Sequence, residues 1–243
     1  MKQRIYFLLL SVVLIFSSCR DKSGEFVEQL FTDDQISAAL RQCIDSTSFK
    51  TCNLLCMVDT VEQQIGYFYY DSKSYRIKLI AEPITDTLIA HGYEDEIDSL
   101  IYFLNRAAEQ CGNSITQFWT SVIKDITFPS PYSVLHGGDS AITEYVKATK
   151  QSEFVANLVS SVLFVRLNEL DVFNRWNSLQ EKYSEIIGSF SPSPIDITNA
   201  TAQQMVAGFF RKMAIEEDAI RKDPSLRGSQ SGLLYRVFAT LDN

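Results

Sequence analysis

Between Ile97 and Ile126 apolar or small residues return in steps of four and three, at Ile97, Ile101, Leu104, Ala108, Cys111, Ile115, Phe118, Val122 and Ile126. An α-helix brings a side chain back to the same face every 3.6 residues, so alternating steps of this size keep one stripe turned in a single direction. The spacing predicts one long amphipathic helix from about Glu94, packed along its whole length and ended by Pro129 and Pro131. A stripe of that length needs other helices to cover it, and the rest of the chain supplies them.

The run Phe31-Thr32-Asp33-Asp34-Gln35-Ile36 carries a helix start: Thr32 and Gln35 can cap each other's backbone amides, and the two aspartates favour the positive end of the helix dipole. A helix through Ile36, Leu40, Cys43 and Ile44 follows, with a second from about Phe49 to Gln64. Pro83 suits the first turn of a short helix closed at His91 and Gly92. Gly137-Gly138 stop a helical turn, and Asp139 is placed to cap a helix reaching about Lys147. Phe154 to Leu167 carries no charge before Arg166 and reads as the central buried helix. Helices from Asp171 to Ile187, with Trp176 inward, and from about Asp196 to Lys222, with Met205, Phe209, Met213 and Ile220 inward, precede a short one around Leu233 to Phe238. One stretch departs from helical spacing: through Tyr67 to Ile80 aromatic and β-branched residues alternate with charges, which predicts an extended arm or short strand. The fold class expected is therefore all-α, a single multi-helix, bundle-like domain over residues 30–243 with one short extended arm at about 67–80.

The N-terminus reads as an address. Lys2 and Arg4 precede an apolar run from Ile5 to Phe16, and Ser17-Ser18 stand before Cys19. The apolar run is about a dozen residues, short of the roughly 20 that a spanning helix needs. Phe16-Ser-Ser-Cys19 resembles the lipobox of bacterial lipoproteins. Residues 1–18 are then a lipoprotein signal peptide, Cys19 is the lipidation site, and residues 19–29 are a polar tether. Arg20 follows the cysteine, where an aspartate would mark inner-membrane retention, so the outer membrane is the preferred location within the cell envelope.

Acidic residues outnumber basic ones by 30 to 22, giving a formal charge of −8 that becomes more negative once Lys2 and Arg4 are removed. Such a chain repels phosphate backbones, which argues against nucleic acid as a partner. Four cysteines remain beyond Cys19. Cys52 and Cys56 are four apart on one helix face and read as small buried hydrophobes, while an oxidising envelope would also permit a disulfide from Cys43 to Cys52 or Cys56. No metal is expected, since the two histidines, His91 and His136, stand apart from any cluster of donors. Gly137-Gly138-Asp139 lacks the lysine and flanking strand of a phosphate loop, and neither GxSxG nor another nucleophile elbow occurs. No catalytic residues and no cofactor are assigned.

Several segments together resemble the bacterial domain-of-unknown-function family 4197. They are Leu30 to Leu40, Leu104 to Glu109 (LNRAAE), Ile126 to Thr149 with its HGGD, Trp176 to Tyr183, and Ile215 to Phe238 with EED, IRKDP and LLYRVF. The resemblance spans roughly residues 30–238 and implies a secreted or lipidated all-helical protein without an established activity.

Two of these segments carry the charged residues singled out as a candidate polar network. Asn105, Arg106 and Glu109 lie on the long helix; Glu216, Glu217 and Arg221 lie on a late one. Arg106 and Glu109 can meet at i,i+3 and Glu217 and Arg221 at i,i+4. If the two helices face each other the groups form one shared, partly buried network; the alternative is solvated pairs, or packing pairs that fix helix register. The functional expectation is an envelope lipoprotein that binds a partner protein or an amphiphilic ligand without catalysis, with the membrane reached through the lipid on Cys19. An enzyme acting on an envelope component through the Arg/Glu network, and a purely structural protein, are the alternatives.

Overall fold

The computed structural model describes residues 30–57, 65–71, 73–79, 84–189 and 195–242. The residues read above as signal peptide, lipidation site and tether lie outside the described residues, as do Pro83 and residues 58–64 of the predicted second helix. The described residues are helical with no strand among them, and none of the helices is long and apolar enough to cross a membrane.

Helix α1 (Asp33–Leu55) opens on the predicted reciprocal cap. The Thr32 hydroxyl accepts from Gln35 N at 3.3 Å, and Gln35 Oε1 accepts from Thr32 N at 2.9 Å. It then runs without interruption through residues 45–48, which lie between the two helices predicted above. Thr47 donates to Cys43 O (2.9 Å) and Ser48 to Asp45 O (3.2 Å), so both hydroxyls are satisfied by the helix's own carbonyls and can be buried in it.

The predicted arm is part helix and part extended chain. Residues Gly66–Tyr69 form one turn, α2, and only from Arg76 to Leu79 is the chain free of turns and helix. After α3 (Ile84–Ala90), ended by Gly92 at φ +85°, come α4 (Glu94–Glu109) and α5 (Gly112–Asp125). These replace the single long helix predicted over 94–126. The break falls at Gly112, where a Cβ would stand 2.9 Å from the carbonyl oxygen of Cys56, so the end of α1 approaches the chain where a side chain is missing. The apolar stripe continues across the break, with Ile97, Leu104, Ala108, Cys111, Ile115, Phe118, Val122 and Ile126 all buried, which is why periodicity could not reveal it.

Helix α6 (Pro131–Leu135) leads through the glycines to α7 (Ala141–Leu158), which continues into a π-helical segment, Val159–Leu163, and α8 (Phe164–Glu169). The expected central helix at 154–167 is thus the far part of one longer rod. It lies at the surface: Phe164 is 56% and Val165 48% exposed, while Phe154, Leu158, Leu163 and Leu167 face inward. Helix α9 (Val172–Ile187) buries Trp176 as expected. The central place belongs to α10 (Ile197–Lys222), which packs on α1 and α7 and buries residues along its full length. A 3-10 turn (Pro224–Arg227) and α11 (Leu233–Phe238) close the domain against α1.

The core is aromatic where α5, α7 and α10 meet. Phe118 stacks on Phe154 (4.6 Å between centroids, 8° between planes), and Trp119 stacks on Phe209 (5.5 Å, 10°). Burying each of these rings contributes about 1.5–3 kcal/mol, and their mutual geometry adds about 0.5–1.5 kcal/mol per pair.

Candidate functional site

The six nominated residues fall into clusters whose contacts run to different parts of the chain. On α4, Asn105, Arg106 and Glu109 are all buried. Asn105 reads one extended residue completely: its Oδ1 accepts from Ile77 N at 2.8 Å and its Nδ2 donates to Ile77 O at 2.9 Å. Glu109 pairs with Arg106 at 2.6 Å and accepts the amide of Phe68 at 3.0 Å, while the Arg106 guanidinium lies between the rings of Tyr69 (5.5 Å) and Tyr102 (5.3 Å). Gly66 lets the two segments meet, since a Cβ there would stand 2.5 Å from Glu109 Oε1.

The same arm is held from its other side by α10. Gln204 treats Lys78 as Asn105 treats Ile77, accepting from its amide at 3.0 Å and donating to its carbonyl at 2.9 Å. Tyr67 donates to Met205 O at 3.0 Å, and Arg211 donates to Ser74 O. Two consecutive extended residues thus have their backbone groups paired by amide side chains on two helices, which takes the place of a neighbouring strand. Sequence reasoning passed over Gln204. A glutamine of this kind has no local signature, because its partner lies 126 positions away.

The second cluster surrounds Glu217 and Arg221 at the far end of α10. Glu217 Oε1 accepts from Ile142 N (3.0 Å) and Oε2 from Thr143 N (2.7 Å), so it caps α7. Arg221 donates Nε to Glu217 at 2.8 Å, Nη1 to Leu135 O at 2.7 Å and Nη2 to Val134 O at 3.2 Å. Asp139, expected to cap this helix, pairs instead with Lys222 at 3.2 Å, and the residue at the cap position, Ser140, makes no side-chain capping bond. Glu216 points away from its neighbour, to Lys212 at 2.6 Å and Lys50 at 3.8 Å. Arg227, not nominated from sequence, is 2% exposed and donates to Ile220 O, Arg221 O and both carboxylate oxygens of Asp242.

Both clusters spend charge on the chain's own backbone. Glu217 has two amides and a guanidinium on its oxygens, and Arg221 has two carbonyls and a carboxylate on its nitrogens. Chemically these are clamps that order the arm at 65–79 and the corner at 134–143.

Cys43, Cys52, Cys56 and Cys111 are free and buried. Burial pushes the Cys43 thiol up strongly and the Cys111 thiol up to about 12. Cys52 is brought down to about 7, chiefly by the hydrogen bond with Cys56. His91 donates to Thr87 O (2.8 Å) and His136 to Tyr132 O (3.1 Å), each completing the last turn of its helix. Among the described residues no group of three or more His, Cys, Asp and Glu side chains is arranged to hold a metal ion.

Open space lies beside the π-helical segment. A cleft of about 490 Å³ is lined by Val159, Phe164, Phe173, Trp176, Ile195 and Ile197, with Asn177, Gln180, Asp196 and Thr198 as its polar lining. A second, of about 710 Å³, shares Val159 and Asp196 with it and extends along α7 and α10 past Val155 and Ala207. The two adjoin at Val159 and Asp196 as one groove of mixed apolar and polar lining.

This architecture defines an all-α domain in which buried ion pairs organise the backbone and an aromatic groove opens at a π-helical segment. Over residues 31–239 the chain matches the model of the family described as "Protein of unknown function (DUF4197)", and it belongs to that family. No curated protein and no solved structure matches the chain.

Proposed function

We propose that this chain is a bacterial cell-envelope lipoprotein, held to the outer membrane by acyl chains on Cys19, whose helical domain is a non-catalytic module that takes an amphiphilic ligand into the groove at Val159–Leu163. The observation that carries the reading is the pairing of a π-helical segment with exposed aromatic surface. π-Helical turns interrupt the regular hydrogen-bond ladder and are found frequently at functional sites. Here the segment turns Phe164 outward beside Phe173 and Trp176, at the mouth of a cleft large enough for a small ligand. The disposition of the charged clusters supports the non-catalytic half of the reading, since the oxygens of Glu217 and the nitrogens of Arg221 are occupied by the chain itself.

Two measurements test the proposal. The native protein should incorporate palmitate and fractionate with membranes, and Cys19→Ser should lose both; membrane association without palmitate overturns the anchor. Native mass spectrometry of the domain purified without Cys19 should reveal a copurifying lipid that Phe164→Glu releases. A bare monomer in both cases overturns the amphiphile reading and moves the groove to a protein partner.

A further inference from the structure

A separate cleft of about 430 Å³ lies between α4 and α9. Its walls carry Asp95, Glu96 and Ser99 from α4, Arg175 and Lys182 from α9, and Asp171 at the start of α9. Most of these charges are already engaged. Lys182 pairs with Glu96 at 3.0 Å and sits 4.5 Å from the ring of Tyr93, and the Asp171 carboxylate accepts from Asn174 at 2.6 Å.

Arg175 is different. Its guanidinium lies over the ring of Phe103 at 4.1 Å and donates Nη1 to Ser99 Oγ at 3.2 Å. Among the described residues no carboxylate pairs with it; Nε is buried without an acceptor, and Nη2 has no acceptor and is not sealed from solvent. Stacking on Phe103 fixes the plane of the guanidinium on the cleft wall, so Nη2 is oriented before anything binds. A planar fork of that kind matches a carboxylate.

The charge of the wall narrows the choice further. Three carboxylates, on Asp95, Glu96 and Asp171, stand against two cations, on Arg175 and Lys182. A bare anion would be repelled by the acidic excess, and a bare cation would leave Arg175 unanswered. Asp171 holds a left-handed backbone, φ +58°, without the freedom of glycine and without capping its helix, which sets its carboxylate on the cleft wall. A molecule carrying both charges a few ångströms apart satisfies both sides.

We propose that this cleft binds a compact zwitterion, an α-amino acid or dipeptide, with its carboxylate on Arg175 and its ammonium group toward Asp95 and Asp171. The site is independent of the aromatic groove and of any ligand there, and the volume falls in the range of small-molecule sites, about 300–1,000 Å³.

The test is calorimetric titration of the full chain in detergent with alanyl-alanine, its N-acetyl derivative and its C-terminal amide. Saturable binding is expected for the free dipeptide, weakened by about tenfold or more when either end is blocked. Arg175→Gln should abolish it while leaving the helical circular dichroism and the Phe164→Glu phenotype as they were. Asp95→Asn, at an exposed position, should weaken the free dipeptide and leave the N-acetyl form unchanged. Absence of heat with the free dipeptide, or equal binding by the blocked forms, overturns the proposal without touching the groove; so does undiminished binding by Asp95→Asn should Arg175→Gln fail to fold.

Discussion

The carboxylate of Glu217 accepts the amide of Thr143 at 2.7 Å, across 74 positions of sequence, and so caps a helix to which it does not belong. A helix start leaves its first amides without intrahelical partners, and a nearby Ser, Thr, Asp or Asn normally supplies the acceptor. Here the acceptor comes from α10, and Arg221 one turn later binds the carbonyls of the preceding helix, so one residue pair holds both sides of the 134–143 corner.

Replacing Glu217 with Ala therefore removes a cap and strands a buried guanidinium together. Breaking a buried pair from one side costs about 3–5 kcal/mol. Urea denaturation of Glu217→Ala should show that loss, whereas Glu153→Ala, which breaks the exposed pair with Lys150, should change stability by about 0–1 kcal/mol. Equal effects from the two variants would show that Glu217 is not a clamp.

Asn105→Ala leaves the amide and carbonyl of Ile77 buried without their partner. Each stranded group costs about 1–3 kcal/mol. Hydrogen exchange at the Ile77 amide should accelerate sharply in this variant, and exchange at Lys78 should accelerate in Gln204→Ala with a smaller loss of stability, since that pairing is exposed. Protection of Ile77 unchanged by Asn105→Ala would refute the strand-like pairing.

Gly66 and Gly92 separate two costs of adding a methyl group. Both have φ near +85°, but a Cβ on Gly92 meets nothing within 4 Å while one on Gly66 collides with Glu109 and Met57. Gly92→Ala should lose only the backbone term, about 1–2 kcal/mol. Gly66→Ala should lose clearly more in thermal melts, and the excess should shrink in a Glu109→Ala background.

Acid should loosen the C-terminal end. The hydrogen bond from Arg227 holds the Asp242 carboxyl below the usual range, so the folded value lies under the unfolded one. Stability from this group is fully present above the unfolded pKa of about 3.9 and is lost as pH falls through the lower folded value. Asp242→Asn removes that contribution, so the stability gap between wild type and variant, measured by denaturation, should close below about pH 4. A gap that widens as pH falls would reverse the sign and refute the pairing.

Much of the fold was legible because helices advertise themselves locally. The reciprocal cap at Thr32 and Gln35, the stripes on α9 and α10, and the i,i+3 and i,i+4 pairs at Arg106–Glu109 and Glu217–Arg221 all follow from spacing within a turn or two. The misreadings have two causes. The Gly112 break and the surface position of Phe164 depend on another segment, the Cys56 carbonyl in the first case and the arrival of α10 at the core in the second, whereas α1 continues through Thr47 and Ser48 because their hydroxyls bond the helix's own carbonyls.

Periodicity and charge spacing determined that this chain is an all-α protein and that Arg106 pairs with Glu109 and Glu217 with Arg221, because both are properties of a single helix. Tertiary structure decided what those pairs hold. Asn105 and Gln204 meet Ile77 and Lys78, and Glu217 meets Thr143, across separations at which local spacing carries no information. Only the packing of α4, α7 and α10 around the aromatic core brings the partners within hydrogen-bond reach, where unpaired backbone groups cannot remain.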